Sequence, residues 1–290
     1  MMIEFKAELK RLLAFEGINY FIRNLLKILR FPIALRKRIR INGRVGLCFN
    51  GINFTMYAKQ DDIIVDQFYN NQWDEVNCLK HFLLYAKKSN VILDIGANTG
   101  LYSILSSLVN SKAKIHSFEP YEANANRLKL NLQLNKLNNV QVHNYGVSDA
   151  NTSLNLFIPE GEQRISQVSS FNEEFTKSHK QNDIFIYNKK LVQIKTIDSL
   201  KLESVDLIKI DVESHEVAVL KGAMDTIKRF RPVLLVEIFP NPQNCTFFKN
   251  FLTNYDYKLY SSEDFKIKKV SQISSAYSNY FLLPSEKIVK

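Results

Sequence analysis

The chain has 290 residues, of which 46% are hydrophobic and 23% charged, enough to bury one large α/β core beside an added segment. No apolar run reaches the ~18 residues of a membrane span, and the first residues lack the apolar core and cleavage site of a signal peptide. The formal charge is +10, and Cys48, Cys78 and Cys245 are far apart and odd in number, which suggests neither a disulfide framework nor a zinc site and fits a reduced cytoplasm.

Residues 1–30 carry helical periodicity at Leu9, Leu12 and Leu13, then at Ile18, Phe21, Ile22, Leu25, Ile28 and Leu29. Pro32 ends the pattern. Between Gly17 and Gln60 there is no Asp or Glu, yet the stretch holds Arg23, Lys27, Arg30, Arg36, Lys37, Arg38, Arg40, Arg44 and Lys59. Such a segment could face anionic lipid headgroups, an acidic glycan or nucleic acid. Ile41 to Phe68 reads as short strands with turns at Asn42-Gly43 and Asn50-Gly51, and Asn71 to Lys88 reads as helix. Residues 1–84 are expected to form an α+β accessory segment.

From Val91 onward strands and helices alternate. Strands are predicted at 91–95, 114–119, 140–147, 206–212 and 232–239, and helices at 100–109, 121–136 and 214–230. The alternation predicts an α/β doubly wound, mainly parallel sheet. Residues 150–198 interrupt it with an expected hairpin, Leu154 to Ile158 against Val192 to Ile197, around a long polar stretch. That stretch, Glu160 to Lys190, is expected to fold over an acceptor. Lys258 to Tyr260 and Tyr280 to Leu283 are candidates for closing strands.

The strand Val91-Ile-Leu-Asp-Ile95 runs into a turn at Gly96, Asn98 and Gly100, then into a helix. Such a turn lets a ligand meet the backbone and its free N–H groups. Glu119 stands about 20 residues further on, where a doubly wound fold holds a ribose diol. Ligands of open α/β sheets bind beyond the carboxyl ends of the strands. Those ends carry Asp94, Glu119, Asp149, Asp211, Glu213 and Glu237. Carboxylates without a phosphate-binding lysine suit a cationic, hydroxyl-rich ligand such as S-adenosylmethionine better than a polyphosphate. Asn98 occupies the place of the second glycine of a dinucleotide fingerprint, which counts against NAD, and no P-loop pattern occurs.

Three blocks in order resemble the FkbM-type family of S-adenosylmethionine-dependent methyltransferases over about Val91 to Phe239. They are Asp94-Ile-Gly-Ala-Asn-Thr-Gly100, Phe118-Glu119-Pro120, and Lys209-Ile-Asp-Val-Glu213 with Glu216. Where the family usually has Gly after Asp-Val-Glu, this chain has Ser214-His215. The resemblance implies a class I methyltransferase (Rossmann-like) domain at 85–290, with the insertion at 150–198. Its sheet would have seven strands, one of them antiparallel, for which Tyr280 to Leu283 is the candidate. It also implies O-methylation of a sugar, glycan or secondary-metabolite hydroxyl.

On this reading Asp94, Gly96, Asn98, Gly100, Glu119 and Asp149 bind the cofactor, with Glu119 on the ribose and Asp149 near the adenine. Asp211, Glu213, His215 and Glu237 are the catalytic candidates, as base or as orienters of the acceptor. Glu216 is expected to bond the backbone or to pair with Lys209. No ligand spacing is diagnostic of a metal, although Asp211, Glu213, His215 and Glu237 could assemble an oxygen-rich Mg²⁺ site. A nucleic-acid methyltransferase is the nearest rival, but Phe239-Pro-Asn-Pro-Gln243 lacks the paired prolines and stacking aromatic common in amino-methylating enzymes. A binding module without catalysis, docked at a membrane, is the third alternative. The expected location is cytoplasmic, with peripheral contact to an anionic membrane through the basic N-terminal segment.

Overall fold

A computed structural model describes residues 12–13, 15–36, 38–159, 169–174, 187–263 and 266–287. Most of the polar stretch predicted to cover an acceptor, Arg164 and Ser166 included, lies outside them, as does Leu9. The chain divides into two units: residues up to Asp74 with Gln133–Lys136, and Glu75–Leu132 with Leu137–Lys290. The boundary expected at residue 84 compares with this division at Asp74.

In the first unit, helices α1 (Glu16–Ile28) and α2 (Ile33–Arg36) precede a hairpin of β1 (Asn42–Phe49) and β2 (Ile52–Lys59). Asn50 and Gly51 both take positive φ, 48° and 81°, as a tight two-residue hairpin turn requires. Asn42-Gly43 is no turn: it pairs in register with Lys59 and Ala58. Nor does strand continue to Phe68. The Asp62 side chain accepts a hydrogen bond from Val65 N and caps a helix, α3 (Ile63–Tyr69). Phe68 packs against Phe49, Phe54 and Trp73 at ring separations of 5.6–5.8 Å.

The second unit opens with α4 (Val76–Ala86), shorter than the helix predicted over 71–88. Then come β3 (Val91–Ile95), α5 (Leu101–Val109), β4 (Lys114–Phe118), α6 (Glu122–Leu134) and β5 (Val140–His143). The strand predicted over 140–147 is split. Its second half, β6 (Gly146–Val147), pairs instead with β8 (Tyr187–Lys195), itself antiparallel to β7 (Thr152–Pro159). This hairpin matches the one predicted, with Leu154 opposite Val192.

The chain then returns through β9 (Leu207–Ile210), α7 (Glu216–Lys221), α8 (Met224–Phe230) and β10 (Val233–Glu237). The single helix predicted over 214–230 is broken in two at Gly222-Ala223; position 222 has no room for a side chain, since a Cβ there would stand 1.9 Å from the Ser148 carbonyl oxygen. Last come α9 (Pro242–Asn254), β11 (Tyr257–Glu263), β12 (Lys266–Lys269) and β13 (Asn279–Pro284).

The main sheet has the order β5-β4-β3-β9-β10-β13-β11-β12. Strands β5 to β10 are parallel, and β13 inserts antiparallel between β10 and β11. The described sheet therefore has eight strands rather than seven, because β12 folds back on β11 with Lys266 opposite Glu263. Strands β3, β9 and β13 are buried along their whole length, which accounts for their mainly apolar sequences. The direction of winding reverses between β3 and β9, so a crevice opens at the carboxyl ends of these two strands. No helix among the described residues is long and apolar enough to cross a membrane.

Candidate functional site

At the end of β3 the chain turns sharply through residues that tolerate positive φ: Gly96 (80°), Asn98 (49°) and Gly100 (98°). Gly96 and Ala97 both donate to the Phe118 carbonyl at 3.0 Å, which ties the loop to β4. Position 96 must be glycine because a Cβ there would stand 1.7 Å from the Asp211 carbonyl oxygen. Gly100 opens α5 and lies against Leu128, leaving only 2.9 Å for a Cβ.

Glu119, just past β4, is buried. Its Oε2 accepts the Asn98 N–H and its Oε1 the Tyr121 N–H, each at 2.9 Å. Burial pushes its pKa up to about 7, against the opposing effect of these two bonds. Each oxygen keeps a lone pair for a second donor.

Beside the turn, Lys209 is the one charge in the otherwise apolar strand β9, and it is buried. Its Nζ donates to Asp211 Oδ2 at 2.9 Å, lies 3.9 Å from Asp94 Oδ1, and sits 4.8 Å from the centre of the Tyr102 ring. Burial opposes its charge, but Asp211 and Asp94 outweigh that and hold the ammonium protonated. Asp94 Oδ2 accepts a 2.5 Å bond from Ser103 Oγ, whereas Oδ1 is buried without a hydrogen bond. Burial raises the Asp94 pKa.

The carboxylates of Asp211, Glu213 and Glu237 offer oxygens that all lie within 4.8 Å of one another. Burial, then repulsion from Asp211 and its neighbours, pushes Glu213 up to about 9 and Glu237 up to about 11. Glu237 Oε2 is buried and makes no hydrogen bond. The turn that presents Glu213 is unusual: Glu213 and Ser214 both take positive φ, 55° and 71°. Buried Glu216 holds it by accepting the N–H groups of Val212 and Ser214 on Oε1 at 3.2 Å. Of the two roles expected for Glu216, this is the backbone one. Ser170 Oγ adds a hydrogen bond to the Glu213 carbonyl.

His215 has other company. Its Nε2 pairs with Ser148 Oγ at 2.8 Å and its ring lies 5.2 Å from Phe171. It is not in the group formed by the three acids, and burial lowers its pKa. Ser148 Oγ also donates to Asp149 Oδ1 at 3.1 Å, and Asp149 is exposed.

One neighbour escaped the sequence. Glu75, at the start of α4, accepts the Tyr102 hydroxyl at 3.2 Å and its charge helps raise Glu213 and Glu237. No motif marks it. Lys209 had a visible signal, a lone charge inside a buried strand, which demands a partner of opposite sign.

Asp94, Asp211, Glu213 and Glu237 thus confront a single lysine among the described residues, and two of their fully buried oxygens lack a hydrogen bond. The set could hold an organic cation or an oxygen-liganded divalent ion. Fold and site together define a doubly wound α/β protein with an acid-rich ligand crevice at its topological switch point. The methyltransferase FkbM domain model matches residues 94–259, and the chain belongs to that family. A curated relative, Methyltransferase 1 of Beauveria bassiana (strain ARSEF 2860), is 26% identical over 148 residues, which span 46% of this chain and 58% of that protein. The crystal structure of methyltransferase FkbM from Methylobacillus flagellatus KT superposes with a TM-score of 0.44 at 16% identity, covering 77% of this chain and 55% of that one. The O-methyltransferase from Bacillus cereus, solved in complex with SAH, gives a TM-score of 0.38 at 13% identity, covering 71% and 78%.

Proposed function

We propose that this chain transfers a methyl group from S-adenosylmethionine to a hydroxyl of a sugar, glycan or secondary metabolite. The observation that carries the reading is the gathering of buried Asp94 and half-buried Asp211, Glu213 and Glu237 beside one lysine, Lys209, and next to a glycine turn of positive φ. When bound, the cofactor supplies an electrophilic methyl carbon on a sulfonium.

The chain's own groups divide the remaining work. The turn at Gly96, Asn98 and Gly100 with Asp94 receives the methionine part. Glu119 offers its free lone pairs to the ribose hydroxyls, held in place by Asn98 N and Tyr121 N. Asp149 is the candidate for the adenine amino group. Glu213 and Glu237 hold their protons at neutral pH in the ligand-free protein, since both pKa values lie above 7. A positive charge brought beside them lowers those values. One carboxylate is then free to take the proton of the acceptor hydroxyl, general-base help worth roughly 10²–10⁴ in rate. Placing the acceptor oxygen near the methyl carbon contributes up to about 7–11 kcal/mol. Asp211, fixed by Lys209, orients the acceptor. Three free thiols, Cys48, Cys78 and Cys245, support a reducing, cytoplasmic setting.

The test is mass spectrometry of candidate hydroxyl acceptors incubated with the protein and deuteromethyl-labelled cofactor. Labelled ether products are expected. Absence of cofactor binding by calorimetry would overturn the methyltransferase reading, and label found on nitrogen or carbon would overturn the hydroxyl.

A further inference from the structure

A helix on a water-soluble fold normally turns its apolar stripe inward and its polar stripe out. Helix α1 does the reverse. Its buried residues are Asn19 and Arg23, 0% and 4% exposed, whereas Phe15, Phe21 and Ile28 are 65%, 64% and 75% exposed. Leu25 and Leu29 lie exposed beside them.

A specific polar network fixes this orientation. Asn19 Oδ1 accepts the Asn42 N–H at 3.0 Å and Arg23 Nε at 2.7 Å, and Asn19 Nδ2 donates to the Arg40 carbonyl at 3.0 Å. The Arg23 guanidinium lies 5.1 Å from the centre of the Tyr69 ring. Rolling the helix to hide its apolar stripe would break these bonds and leave buried polar groups unsatisfied. The apolar stripe is therefore held outward, and contiguous exposed apolar surface marks an interaction site.

Charge identifies the partner. No acid occurs between Gly17 and Gln60, and Lys27, Arg30, Arg38, Arg40 and Arg44 are exposed. The acid at the start of the helix, Glu16, is engaged by the Tyr57 hydroxyl at 2.9 Å. A second copy docked face to face would set like charges against each other, since a twofold interface repeats the same patch on both sides. A helix with an outward apolar stripe and surrounding cations matches a surface with an apolar interior and an anionic rim. We infer that α1 and the basic residues around it dock the protein on an anionic lipid bilayer surface, lying in the interface without crossing it.

The experiment is flotation of the full chain with vesicles of phosphatidylcholine alone, or of phosphatidylcholine with one part in four phosphatidylserine. The protein should float with the anionic vesicles, and far less with the neutral ones or in high salt. Phe21→Ser with Ile28→Ser should cut the bound fraction at least about tenfold, two apolar side chains having lost their burial. Arg30→Glu, which leaves the apolar stripe intact, should weaken anionic binding alone. Both sites are exposed, and an unchanged far-ultraviolet circular dichroism spectrum verifies folding. Failure to float, equal flotation with both vesicle types, or a dimer in sedimentation velocity that the double variant dissolves would each overturn the inference.

Discussion

Gly96 lies directly against the backbone of Asp211, with only 1.7 Å between the place of its missing Cβ and the Asp211 carbonyl oxygen. The contact locks the turn after β3 to the turn after β9, the two loops that flank the switch point. It also makes a sharp prediction. Gly96→Ala adds a clash, about 1–3 kcal/mol, to the cost of a side chain at positive φ, about 1–2 kcal/mol. A loss of about 2–5 kcal/mol should appear in urea unfolding, and cofactor affinity should fall with it. At Ser214, by contrast, a non-glycine residue already sits at φ 71°. Ser214→Gly, the residue the family pattern favours there, should leave stability unchanged or raise it by up to about 1 kcal/mol. Wild-type stability in Gly96→Ala would show that the loops can part.

Glu119 ties the turn after β3 to the turn after β4, through Asn98 N and Tyr121 N. Its removal should therefore act twice. Glu119→Ala leaves two N–H groups without their acceptor and deletes the ribose partner. Hydrogen bonds to a charged group are worth roughly 1.5–3 kcal/mol, so cofactor affinity should drop about tenfold to a hundredfold. Glu119→Gln keeps one acceptor oxygen and should lose less stability while still weakening the cofactor. Calorimetric titration decides; unchanged affinity in both variants would remove Glu119 from the ribose.

The features legible in the sequence are those written in local chemistry. Gly96 and Gly100 announce positive φ, and the apolar runs of β3, β9 and β13 announce burial on both faces. What stayed hidden depends on contacts between distant residues. At the break between α7 and α8, Gly222 lies close against the carbonyl of Ser148, and the same Ser148 bonds His215. Nothing near His215 in sequence could reveal that partner. The strand over 140–147 fails for a related reason: Gly146 and Val147 find their ladder on Ile194 and Lys195, across the insertion. Lys209 was visible, and Asp211 is its near neighbour in the chain, but its partner Asp94 follows only once β3 and β9 are adjacent.

Burial raises Glu213 to about 9 and Glu237 to about 11 from an ordinary 4.5, and Glu119 and Glu216 to about 7. A carboxyl raised in this way binds more protons folded than unfolded. Its contribution to stability is complete below about pH 4.5 and is lost as pH climbs through the folded value, at a limit of about 1.4 kcal/mol per pH unit and group. The melting temperature of the ligand-free protein should therefore fall from about pH 5 to about pH 9. Glu213→Gln with Glu237→Gln should flatten most of the slope above neutrality. Binding of the cationic cofactor should release protons, visible as a buffer-dependent calorimetric enthalpy, and its affinity should rise with pH. A melting temperature that climbs across this range would contradict the assignment.

The separation of His215 from the three acids yields the last prediction. A base among Asp211, Glu213 and Glu237 implies that Asp211→Asn, Glu213→Gln or Glu237→Gln lowers kcat by roughly 10²–10⁴ for the residue that takes the proton, with smaller losses at the other two. His215 bonds Ser148 and contacts Phe171. His215→Ala should therefore change kcat by less than about tenfold, because its loss leaves the acids in place. Its effect should fall on KM for the cofactor, through Ser148 and Asp149. The pH–rate profile separates the cases: it should keep its shape in His215→Ala and lose its acidic, ascending limb in the variant of the true base. Chelation supplies the independent control. If the acids act as protein groups, activity survives treatment with a chelator; a loss that Mg²⁺ restores would reassign Asp211, Glu213 and Glu237 as ligands of a divalent ion, for which their oxygens are suitably grouped.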